Sequence, residues 1–131
     1  MGASRLPLKS EFPQTCLGMQ TSVQTLELPI KPILEACKQA LVEHYGAKFK
    51  GLVLFGSAAR QELTPNSDID LLVLLERPLN ASQELRTIVD ILYPLQMESS
   101  HWISAKPAAP DELEAGITQL YRNIQKEGIF L

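Results

Sequence analysis

The sequence predicts an α/β (α+β) domain, a small mixed sheet flanked by helices. Three observations predict it. Two compact apolar runs, Gly51–Phe55 and Asp68–Leu75, have the length of buried strands rather than helices. Helix-period patterns stand before them, from Pro32, and after them, from Ser82 and from Asp111. The segment between the two runs is too short for a crossover helix, which favours an antiparallel or mixed pairing. The expected order is helix, strand, strand, helix, strand, helix.

The first helix is expected over Pro32–Tyr45. Ile33, Leu34, Cys37, Leu41 and Tyr45 recur near the helical period. Pro32 suits the first turn and Gly46 the C-terminal cap. Ser57 to Glu62 has the composition of a short helical start, and Thr64-Pro65-Asn66-Ser67 is turn chemistry. Arg77-Pro78-Leu79-Asn80 closes the second strand. Ser82 is expected to cap a helix reaching Leu92 or Tyr93, with Leu85, Ile88, Val89 and Leu92 on its inner face. A third strand falls within Leu95–Lys106, and Pro107 with Pro110 reads as a loop. Asp111–Glu127 is expected as one helix with Leu113, Ile117, Leu120, Tyr121 and Ile124 inward and Gly128 ending it. Residues 1–30 read as an irregular arm with a short strand at Val23–Leu28, and 31–131 as the domain.

With 131 residues, the chain has room for one core but little for two large substrates. Its 45% apolar and 21% charged residues are a globular composition. A net charge of -3 with no basic run disfavours nonspecific nucleic-acid binding and adhesion to anionic membranes. No run is long enough to span a bilayer, and the first residues lack a signal peptide's apolar core. The two cysteines, Cys16 and Cys37, have no metal-ligand spacing and read as reduced thiols. These features together place the expected compartment in the cytoplasm.

The chemistry concentrates in "LVLFGSAARQELTPNSDIDLLVLLE", Leu52 to Glu76. Asp68 and Asp70 stand two apart on a strand, so their side chains share one face. Paired carboxylates repel unless a cation lies between them, and hard oxygen donors favour Mg²⁺ or Mn²⁺. Gly56 permits close backbone approach, and Ser57 offers a hydroxyl and an amide suited to phosphate. Arg60, a turn later, has two readings of equal standing, a phosphate contact or a structural ion pair. A Gly-Ser pair or a D-x-D pair alone is common. Their conjunction between two strands is far more specific.

"GSAAR" followed by "SDIDLLV" resembles the signature of the nucleotidyltransferase (polymerase β-like) superfamily. The chain length points within it to the minimal nucleotidyltransferases, or MNT domains. The likeness is strongest over Gly51–Glu76, and "YRNIQKEGIFL" resembles the closing helix of many minimal members. The resemblance implies a nucleotidyltransferase-like fold, divalent metal on Asp68 and Asp70, and nucleotide phosphates on Gly56 and Ser57. Arg60 and Ser67 match less specifically and are expected to support cofactor binding. It further implies transfer of AMP from ATP to a hydroxyl, such as a tyrosine on a HEPN-type partner in a toxin–antitoxin pair. The acceptor site would then lie on that partner or across a homo-oligomer interface.

Active members carry a third carboxylate on a later strand. In this chain the corresponding segment, Pro94–Pro107, has Glu98 as its only acid. Glu98 is thus the candidate third catalytic acid, set against its plainer reading as an exposed loop residue. A module that binds nucleotide or partner and catalyses weakly or not at all is the alternative. His44 and His101 read as ordinary packed or surface histidines, Trp102 as core, and Cys37 as packing.

Overall fold

The computed structural model describes residues 30–131. Cys16 and the expected strand at Val23–Leu28 lie outside them. Helix α1, Lys31–Tyr45, buries Leu34, Cys37 and Leu41 along one stripe. Gly46 (φ 57°) ends it by donating its N–H to the Val42 carbonyl. A short 3₁₀ turn, Gly46–Lys48, leads into β1, Phe49–Phe55. Strand β2 is Ile69–Leu75. Both strands lie under side chains on both faces, which explains why they read as continuous apolar runs rather than alternating ones.

β1 and β2 pair antiparallel, from Phe49 opposite Leu75 to Phe55 opposite Asp70, with a bulge between Phe49 and Gly51. Helix α2, Ala81–Glu98, carries the chain over to β3, Ile103–Ala108, which pairs parallel to β2. Two short helices follow, α3 at Pro110–Ala115 and α4 at Gln119–Glu127. The two-residue β4, Ile129–Phe130, pairs antiparallel with β1. The sheet order is β3-β2-β1-β4, a mixed sheet with helices on both faces, as expected.

Several boundaries differ from the sequence reading. The cap of α2 is Asn80, whose side chain accepts the Gln83 N–H at 3.1 Å, not Ser82. That helix continues through Pro94 to Glu98, because Leu92 and Leu95 on the last turns pack into the core. Tertiary burial outweighs the lost backbone donor. On its inner face Ile88 and Leu92 are buried, whereas Leu85 and Val89 are exposed. The third strand runs past Pro107, which an edge strand tolerates because one side of its backbone needs no partner.

The single helix expected over Asp111–Glu127 is broken at Gly116. That residue takes the left-handed conformation (φ 63°, ψ 44°) and donates to the Glu112 and Leu113 carbonyls. Thr118 starts the next helix by accepting the Tyr121 N–H at 3.1 Å. The break leaves Ile117 exposed, while Leu113 and Ile124 stay buried. β4 after Gly128 was not expected. It is too short for a periodic signal, and it gains its place from pairing with β1.

Each sheet face has its own core. Leu52, Leu54, Ile69, Leu71 and Val73 meet α1 and α2 through Leu34, Leu41, Ile88 and Leu92. Val53, Leu72 and Leu74 meet α3 and α4 through Leu113 and Ile124. Cys37 is buried in the first core, and that burial pushes its thiol up to about 11, as befits a packing residue. Leu54→Ala is expected to lower stability by about 2–5 kcal/mol in urea unfolding, since its side chain is fully buried. Val89→Ala, on the exposed flank of α2, is expected to stay within about 0.5 kcal/mol of the parent.

Candidate active site

The site forms where β1 ends and β2 begins, on the face that α3 and α4 cover only further along. Phe55 stands opposite Asp70 in the β1–β2 register, so Gly56 comes next to the Asp70 carboxylate. Gly56 has φ 78°, a conformation that side chains disfavour. A β-carbon there would run into Asp70 Oδ2 and stand 3.2 Å from Cγ. Backbone shape and crowding thus independently require glycine at this position.

From Gly56 the chain makes one tight turn. Arg60 N–H donates to the Gly56 carbonyl (3.2 Å), Gln61 to Ala58 (3.1 Å) and Glu62 to Ser57 (2.8 Å). Gln61 ends the turn at φ 60°, so the short helix expected at Ser57–Glu62 is a single closed turn. Ala58 and Ala59 anchor it in the core. The N–H groups of Ser57, Ala58 and Ala59 have no acceptor among the described residues, as at the start of any helical turn. Ser57 is partly exposed, so its N–H and hydroxyl can meet oxygens of a ligand, whereas Ala58 and Ala59 are buried.

The acidic side of the site is braced from below. Ser67 closes a turn with Thr64: its N–H donates to the Thr64 carbonyl (2.9 Å), and its hydroxyl accepts the Thr64 N–H (2.9 Å). The two hydroxyls also pair at 2.9 Å. The Ser67 hydroxyl is therefore committed to shaping the loop. Its carbonyl lies 2.9 Å from His101 Nδ1. A carbonyl only accepts, so Nδ1 carries the proton. One residue after Asp68, Ile69 N–H donates to the Trp102 carbonyl at 2.8 Å. Asp68 is thus held by anchors on both sides, one of them the histidine. Nothing in the sequence singles out His101 for this role, because the contact depends on α2 returning the chain beside Ser67.

Asp68 is exposed and Asp70 half-buried. Burial first, then the charge of Asp68, raises the Asp70 carboxyl above the ordinary carboxylate range, while Lys106 and Arg60 oppose the shift. The ionised pair is short of positive charge. Two hard oxygen donors of this kind suit Mg²⁺ or Mn²⁺, and the missing side chain at Gly56 lets the Asp70 carboxylate lie against the backbone. Among the described residues, no group of three or more His, Cys, Asp or Glu is gathered tightly enough to hold a metal ion.

The other expected residues fall as follows. Arg60 is exposed and pairs with Glu62 and Glu127, each at 3.1 Å, tying the turn to the end of α4. Glu98 is the last residue of α2. It lines a cleft with Ile30, Pro32, Ile33 and Ala36, and none of Gly56, Ser57, Asp68 or Asp70 reaches that cleft. The residue that the β2–β3 register sets beside Asp70 is Ser104, with Lys106 two further along on the same face. Trp102, expected in the core, is exposed. Together with Leu85, Val89, Tyr93 and Met97 it lines an apolar groove of about 310 Å³ between α2 and β3. Neither aspartate borders that groove.

The fold and this geometry agree with what is known of other chains. The model of the nucleotidyltransferase domain family matches residues 34–129, well over half of the sequence, and the chain belongs to that family. It is also similar to a Methanocaldococcus jannaschii protein named "putative protein adenylyltransferase", with 45% identity over 51 residues. That match covers 39% of this chain and 50% of the relative, so the chain spans about half the length of the curated protein it matches. Among the described residues, no helix is long and apolar enough to cross a membrane.

Two substitutions probe this geometry. Gly56→Ala is expected to cost about 1–3 kcal/mol in chemical unfolding, through its positive φ and the collision with Asp70. Asp70→Asn is expected to raise the melting temperature at neutral pH, since it removes an uncompensated charge. The sign follows from a carboxyl whose folded pKa is raised. The advantage of Asn is full above the folded value, shrinks as pH falls through it, and is gone below the ordinary carboxylate range. Thermal scans of both proteins from pH 7 to pH 3 check it.

Proposed function

We propose that the chain is a minimal nucleotidyltransferase that moves a nucleoside monophosphate, AMP from ATP, onto a hydroxyl and releases pyrophosphate. The observation that carries this reading is the meeting of Gly56 with the Asp70 carboxylate beside Asp68. It sets the Gly56–Ser57 backbone turn, with the accessible Ser57 N–H and hydroxyl, against a pair of hard oxygen donors, an arrangement suited to a metal-bound triphosphate. Asp68 and Asp70 would hold the divalent ion, which when bound would neutralise charge on the phosphates and favour the deprotonated acceptor oxygen. The Gly56–Ser57 turn holds the β and γ phosphates through backbone N–H groups and the Ser57 hydroxyl. Arg60 adds positive potential while fixing the turn to α4. Ser67 and His101 keep the Asp68 loop in shape.

The reaction is an in-line displacement. The acceptor oxygen bonds to the α-phosphorus, the bond to the bridging oxygen breaks, and pyrophosphate leaves with that electron pair. The acceptor proton passes to solvent or to a carboxylate of the site. Rate enhancement comes from positioning and charge neutralisation rather than from a covalent intermediate on the protein.

The acceptor is the hydroxyl of a protein side chain, in keeping with the name of the archaeal relative. Its specific form in this proposal is a tyrosine of a HEPN-type toxin, with this chain as the antitoxin. A domain of this size leaves the acceptor site to that partner or to a second copy. ATP as donor places the pair in the cytoplasm. A second reading, a binding module without turnover, is favoured by Ser104 standing in register beside Asp70 where a further acid would strengthen the metal site.

Incubation with α-labelled ATP, Mg²⁺ and the candidate acceptor separates the two. The enzyme reading expects labelled acceptor and a loss of at least about a hundredfold in Asp68→Asn with Asp70→Asn. Labelling that survives the double substitution contradicts the metal assignment. Tight acceptor binding without labelling supports the module.

A further inference from the structure

The two aspartates carry two negative charges, and one divalent ion balances them. A nucleoside triphosphate brings about four more. Some other cation must face the phosphates. Among the described residues, the side-chain cations that act on Asp70 are Lys106 and Arg60. Arg60 is committed, with both Glu62 and Glu127 at 3.1 Å. Lys106 is exposed and has no ion pair or hydrogen bond among the described residues. Holding a long side chain near a carboxylate without pairing it leaves its charge available.

The register explains how Lys106 comes to be there. β3 runs parallel to β2, with Ser104 beside Asp70 and Lys106 beside Leu72. Residues two apart on a strand share a face, so Lys106 projects from the face that bears Asp70, about 6.5 Å along β3 from Ser104. A lysine stem spans such a distance with its ammonium as a mobile point charge, the form of cation suited to phosphate oxygens.

We propose that Lys106 is a nucleotide-contacting residue, its ammonium holding a triphosphate oxygen at the β3 side of the site. This rests on the nucleotide reading above and sharpens it. The Gly56–Ser57 turn grips the triphosphate from the β1 side, the aspartates hold the ion in the middle, and Lys106 closes the opposite flank. Ser104, between Asp70 and Lys106 on that face, offers a hydroxyl where a carboxylate would repel the phosphates.

The test uses the whole chain, Mn²⁺ and the non-transferable analogue α,β-methylene-ATP. Calorimetry measures analogue affinity, and electron paramagnetic resonance counts bound Mn²⁺ in the presence of analogue. Lys106→Met is expected to weaken the analogue about tenfold with the Mn²⁺ count unchanged, and Lys106→Arg to recover most of the loss. The exposed position keeps both variants folded, which their melting curves verify. Affinity in Lys106→Met within about twofold of wild type overturns the proposal while leaving the nucleotide reading in place. Failure of the wild type itself to bind the analogue with Mn²⁺ overturns both.

Discussion

Asp70 lies against the backbone of Gly56, and much of the molecule is arranged around that contact. It exists only because β1 and β2 pair antiparallel with Phe55 opposite Asp70. A slip of one residue would turn Asp70 toward the core beneath α1 and α2, where a carboxylate has no partner. The register of the two strands therefore specifies the site as much as the core. Leu52 and Leu54 face one layer and Val53 and Phe55 the other, and this fixes which side the carboxylate reaches.

The fold also explains why a costly carboxylate is kept. Asp70 is half-buried beside a second acid, and its ionisation opposes folding rather than assisting it. The supporting shell compensates locally. Ala58 and Ala59 sink the turn after Gly56 into the core, Thr64 and Ser67 close the acidic loop, and His101 with the Trp102 carbonyl hold that loop from β3's approach. Such bracing is expected where function requires a geometry that stability alone would not select.

How far the sequence discloses all this depends on the range of the interactions involved. The two central strands were legible from their apolar runs, because that feature is local, and the grouping of Gly56, Ser57, Asp68 and Asp70 could be suggested from their motifs at the ends of those runs. The break at Gly116 was missed because Leu113, Ile117, Leu120 and Ile124 keep helical spacing across it, although the glycine itself was a signal. Pro94 and Pro107 misled in the opposite direction, since burial of α2 and the edge position of β3 override their local cost. Glu98 was singled out as the only acid in its segment, yet α2 carries it into a cleft apart from the aspartates. His101 and Lys106 gain their significance only from the β2–β3 register, which no local pattern encodes.

The claim that Asp68, Asp70 and the Gly56–Ser57 turn form one nucleotide site is tested most directly by anomalous diffraction from crystals grown with Mn²⁺ and a non-transferable ATP analogue. The account predicts a manganese peak bonded to both aspartates, with the terminal phosphates against the backbone N–H groups that follow Gly56. Manganese away from the aspartates, or the analogue seated in the apolar groove between α2 and β3, would contradict it.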